Sequence, residues 1–175
     1  MNWTQLLKSE VEGTYTSTAK LIDKVDPDNL DWKPQSGRNW MTVSQLLRHI
    51  TNACGAGCRG FVTGDWGLPA GVKLDDLSPE EMLPPAEKLP GIGSVAEAKK
   101  LLSEDKSIAL QMIEQAGENG LATREMAAPW APGVAFPLGR HLLQMVQHLD
   151  QHKGQLFYYL KLQGKAVNTA DLWGQ

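Results

Sequence analysis

Residues 148–164, HLDQHKGQLFYYLKLQG, decide how this chain is read. Leu149, Leu156 and Leu160 recur at helical spacing and Gly164 closes the run, which predicts a helix from about Leu138 to Leu162. His148 and His152 are four residues apart, so the helix stacks their imidazoles on one face about one turn apart. They fall at the edge of the apolar stripe. A partly buried neutral pair there needs partners for its ring nitrogens, and one metal ion satisfies two of them.

Working outward, three more segments follow a 3.6-residue period. The first runs from about Trp3 to Val25 and ends at Asp26-Pro27, because the residue before a proline is pushed out of the helical region. The second starts at Thr42, which forms a capping-box pattern with Gln45. Val43, Leu46, Leu47, Ile50 and Ala53 make its buried stripe, His49 lies within it, and glycines at 55, 57 and 60 weaken its end. A third helix is predicted from Ser94, paired with Glu97, to about Gln115, and Pro137 suits the first turn of the last one. No strand-like alternation is sustained. The expectation is one domain over residues 1–175, an all-α four-helix bundle with long connections. Residues 61–93 read as a crossover or a lid, with SPEEM as one helical turn, and the tail AVNTADLWGQ has too little pattern to assign.

Composition adds exclusions. Of 175 residues 42% are hydrophobic and 21% charged, ordinary values for a globular protein. A net charge of −3 and the lack of a basic stripe argue against nucleic acid as a partner. No apolar run approaches the roughly 20 residues that cross a bilayer. The start MNWTQLLKSEVEG lacks the charged-then-apolar order of a secretory leader, and two cysteines make no disulfide framework. A cytoplasmic, reduced protein is the expectation.

His49 can supply a third nitrogen across the bundle to His148 and His152. Three neutral imidazoles leave coordination positions for water or substrate, the arrangement of a catalytic rather than a structural metal. His141 is two turns below His148, about 10 Å along the axis, too far to share an ion with His152, and reads as an ordinary polar residue. On one continuous helix Cys54 and Cys58 lie roughly 140° and 180° from His49, so both thiols face away from it. Di-iron chemistry needs Glu-x-x-His pairs, which are absent, and Leu149 occupies the place of a zincin glutamate. No phosphate-binding glycine loop occurs in the right context. Trp66 and Trp130 are candidates for contacting a substrate beneath the loops, Gln155 for orienting a ligand, and Gly154 for close helix packing. Asp150 and Gln151 point elsewhere, and no general acid or base can be assigned from spacing.

These residues resemble the DinB/YfiT-like metalloenzymes. LDWKPQSGRNWMTVSQLLRHI is similar to the family segment that ends in its first metal histidine, here His49. HLDQHKGQLFYYLKLQG resembles the family's His-x3-His stretch, placing the other ligands at His148 and His152. Gln151 and Gln144 stand where many relatives carry further histidines. The resemblance implies a divalent metal ion, zinc or nickel first, a homodimer, and a small-molecule substrate handled with a low-molecular-weight thiol. The activity it implies is that of a metal-dependent S-transferase or hydrolase. The rival is a non-catalytic, metal-stabilised stress or binding protein, and the third possibility is a metal-free bundle whose histidines only pack.

Overall fold

Capping at its two ends explains where the first helix lies. The computed structural model describes residues 2–175. Helix α1, Trp3–Ile22, opens on a capping box between Asn2 and Gln5 and stops before Pro27, three residues short of the predicted Val25. Its first-turn amides of Trp3 and Thr4 also bond the Glu118 carboxylate at 3.1 and 2.9 Å, so a second helix helps to start it. The connector then crosses the end of the bundle. Backbone bonds from Val43 N–H to the Trp32 carbonyl and from Ser44 N–H to the Leu30 carbonyl dock it.

The second predicted helix is two. Helix α2, Val43–Ile50, begins at the expected Thr42–Gln45 capping box, and α3, Gly55–Thr63, begins after a turn at residues 51–54. The break has a distant cause: Asp105 accepts the N–H groups of Gly55 and Ala56, the orphan donors of a new helix start. Residues 64–93 contain α4, Pro79–Met82, which is the single turn expected of SPEEM, two 3-10 turns at 74–76 and 86–88, and otherwise irregular chain. The far end of that segment is pinned to α2. Gln45 donates to the carbonyls of Glu87 and Leu89, and Ser44 bonds the backbone of Ile92.

Helix α5, Val95–Thr123, runs eight residues past the predicted end. Gly117, with φ 63°, kinks it and lets the last turns carry Glu118 to α1 and Leu121 into the core. At its start Ser94 accepts from Glu97 N–H as predicted, but the Glu97 carboxylate reaches Gly93 N–H instead of closing the box.

A hairpin of β1, Glu125–Ala128, and β2, Ala131–Pro137, replaces the expected loop. The strands pair antiparallel with Met126 opposite Phe136, and a bulge falls between Ala127 and Ala128. Most of β2 is exposed, so burial imposes no alternation on its residues and the pattern is invisible in the sequence. Helix α6, Leu138–Leu162, has the predicted ends, with Pro137 as its N-cap rather than inside the first turn. The tail forms a short helix α7, Thr169–Trp173, capped by Asn168 and Asp171.

Four long elements make the bundle. Helices α1 and α3 each pack on both α5 and α6 from opposite sides, and α2 continues the α3 side. One core holds them, with Leu7, Leu21, Leu46, Ile50, Phe61, Ile113, Leu142, Leu149 and Leu156 fully buried. Each such side chain contributes about 1.5–3 kcal/mol by leaving water. Gly57 sits where a Cβ would meet the Met145 thioether at 2.4 Å, so α3 and α6 touch closely there. Among the described residues, no helix is long and apolar enough to cross a membrane.

Candidate metal centre

The geometry starts on α6. One helical turn separates His148 from His152, and their Nε2 atoms lie 3.0 Å apart. Helix α2 brings His49 to the same point, its Nε2 at 3.2 Å from His148 and 3.0 Å from His152. All three predicted residues therefore meet, and they are half-buried.

The outer nitrogens decide the tautomers. The Nδ1 of His148 lies 3.0 Å from the Ala53 carbonyl, which can only accept, so Nδ1 carries the proton. The Nδ1 of His152 lies 3.0 Å from Gln155 Oε1 and donates to it. The Gln155 Nε2 donates in turn to the Tyr159 hydroxyl at 3.3 Å, and that hydroxyl donates to the Met41 carbonyl at 3.0 Å. Two Nε2 lone pairs consequently face each other at the centre. His49 can place a proton toward only one of them, so the trio cannot satisfy itself. A cation can.

Size agrees with that conclusion. Corners spaced 3.0–3.2 Å apart lie about 1.8 Å from the middle of their triangle, inside the 2.0–2.1 Å typical of zinc–nitrogen bonds. A single ion held by the trio would have all three nitrogens within bonding reach. Among the described residues no further His, Cys, Asp or Glu joins the group.

Protonation is discouraged as well. Burial, followed by the neighbouring His152 and His148 rings, pushes the His49 imidazole down to about 4. Burial also lowers His148 and His152, against the hydrogen bonds from Ala53 and Gln155 that favour their charged forms. Neutral imidazoles are the form that binds metal.

The other sequence candidates fall elsewhere. His141 is buried and structural: its Nε2 donates to the Met126 carbonyl at 2.7 Å and its ring stacks on Phe61 at 4.4 Å. Cys54 and Cys58 are free and fully buried outside the trio. The helical-wheel argument that excluded them assumed one continuous helix, and the turn at 51–54 breaks that assumption although the outcome stands. Trp66 and Trp130 pack around Phe61, at 5.1 and 5.7 Å, on the side of His141 rather than at the trio. Trp32 and Trp40 pack edge-on to Tyr159 at 5.4 and 6.2 Å. Gln155 orients His152, as its position suggested. Tyr159 completes the row at i, i+3 and i+7, a same-face spacing visible in the sequence. The Ala53 carbonyl carried no such signal.

A helical bundle with a convergent three-histidine group could hold a metal ion, and it specifies no single activity. The sequence pattern of the DinB superfamily matches residues 10–156, a span that includes His49, His148 and His152, and the chain belongs to that superfamily. No curated protein and no solved structure matches it.

Proposed function

We propose that this protein is a metal-dependent enzyme acting on a small molecule, with His49, His148 and His152 holding one divalent ion, zinc or nickel. The observation that carries the reading is the facing of the His148 and His152 lone pairs across 3.0 Å, with both outer N–H groups already committed to acceptors. Such orientation by carbonyl and carboxamide acceptors is the usual support of a working metal site.

His49, His148 and His152 would hold the ion, and when bound it would supply Lewis acidity that makes a water or thiol more acidic. The chain's own residues prepare for this. Gln155 and the Ala53 carbonyl fix the directions of the His152 and His148 rings, and depressed imidazole basicity favours the neutral rings that bind metal. Trp32 and Trp40 pack edge-on against the buried Tyr159, bracing the row that runs from the Met41 carbonyl through Tyr159 and Gln155 to His152. With three protein ligands, the reading favours transfer or hydrolysis using a low-molecular-weight thiol or water over a closed structural site.

The test is metal analysis of tag-free protein beside the His148→Ala variant, followed by assay with thiol cofactors and model electrophiles. One equivalent of metal in the parent, none in the variant and metal-dependent turnover support the reading. Full metal retention by His148→Ala refutes the site, whereas metal binding without any turnover favours the metal-stabilised binding protein.

A further inference from the structure

Asp105, on α5, is a buried carboxylate outside the metal centre, with 3% of its surface exposed. Its Oδ2 accepts the Tyr15 hydroxyl proton at 2.6 Å and the Gly55 N–H at 2.9 Å, and its Oδ1 accepts the Ala56 N–H at 3.0 Å. Those amides are the first two of α3. A serine or aspartate at position 54 would cap the Ala56 or Gly57 amide locally. The residue there is Cys54, whose side chain makes no cap bond, so the duty passes to a helix 50 residues away in sequence.

The approach is too close for any other residue at 55. A Cβ on Gly55 would lie 2.1 Å from the Asp105 carbonyl oxygen. The turn at 51–54 is thereby clamped to α5, and the same turn presents the Ala53 carbonyl that holds the His148 Nδ1–H. Asp105 and His148 thus grip neighbouring peptide groups of one short segment.

We infer that Asp105, braced by Tyr15, is a positioning residue for the metal centre, setting the aim of the Ala53 carbonyl and through it the tautomer and direction of His148. The inference rests on the reading that the three histidines hold a metal ion. Without the clamp the turn keeps its sequence but loses the anchor that orients Ala53. The cost then falls on metal affinity, beyond any loss of general stability.

The experiment compares full-length Asp105→Asn and Tyr15→Phe with Leu121→Ala, a buried α5 substitution remote from the turn. Asparagine keeps the shape but turns an NH2 toward a backbone N–H. Two readouts apply: the His148 ring-nitrogen NMR shifts of metal-free protein, and the zinc dissociation constant by chelator competition. Asp105→Asn is expected to move His148 toward mixed tautomers and weaken zinc binding about 10-fold or more, within the usual range for groups that orient a metal ligand. Tyr15→Phe moves both in the same direction by less. Leu121→Ala lowers the melting temperature but leaves both readouts at parent values. Unchanged His148 shifts and zinc affinity in a destabilised Asp105→Asn overturn the inference, and if that variant fails to fold, Tyr15→Phe decides by the same criteria. A parent protein that takes no zinc or nickel refutes the functional reading instead, and the His148 shifts still judge the clamp.

Discussion

Replacing Gln155 by leucine isolates the support of one proposed metal ligand, His152. The substitution keeps the side chain's approximate bulk while removing the acceptor of the His152 Nδ1–H at 3.0 Å and the donor to the Tyr159 hydroxyl at 3.3 Å. His152 is then free to rotate and to exchange tautomers, and only one of them aims a lone pair at the ion. Loss of an orienting partner typically weakens metal binding about 10–100-fold. A 30-fold loss corresponds to about 2 kcal/mol. Because zinc stabilises only the folded state, zinc in excess adds about 2 kcal/mol less stability to the variant. For a domain of this length each kcal/mol moves the melting temperature about 2–4 °C. The zinc-induced rise in melting temperature should therefore be smaller by about 4–8 °C in Gln155→Leu than in the parent. Gln155→Glu restores the acceptor and should restore that rise. The assay is thermal unfolding with and without zinc, beside chelator competition for the dissociation constant. A Gln155→Leu protein with parental zinc affinity and a parental zinc-dependent shift would refute the reasoning.

Other substitutions separate ligands from packing. His49→Ala and His152→Ala should abolish stoichiometric metal, whereas His141→Ala should keep full metal content and lose about 2–3 kcal/mol with its bond to Met126; metal analysis and urea unfolding check both. Tyr159→Phe leaves the Met41 carbonyl without its partner and should cost about 1–2 kcal/mol in urea unfolding. The pH response follows from depressed imidazoles. His49 titrates at about 4 in the fold and near about 6.5 when unfolded, so between those values the unfolded chain binds the proton more readily. The metal-free protein should hold its full stability above about pH 6.5 and lose it as pH falls toward 4. His148 and His152 act in the same direction. A urea midpoint that stays flat across that window contradicts the assignment.

Local chemistry made much of this molecule legible in the sequence alone. Helix starts at Thr42 and Ser94, the end of α1 before Pro27 and the span of α6 follow from capping, proline geometry and a 3.6-residue period, which act within a few residues. The histidine pair on α6 was equally readable, because four-residue spacing on a helix is a distance. Tertiary contacts decided the rest. The α2–α3 break depends on a carboxylate 50 residues away, and the continuation of α5 past Gly117 depends on α1 and the core. The exposed hairpin leaves no burial pattern to read. That His49 meets the pair, and that a backbone carbonyl at Ala53 orients His148, are facts of helix packing. A backbone carbonyl is the same group in every residue, so its role can be assigned only once the chain has folded around it.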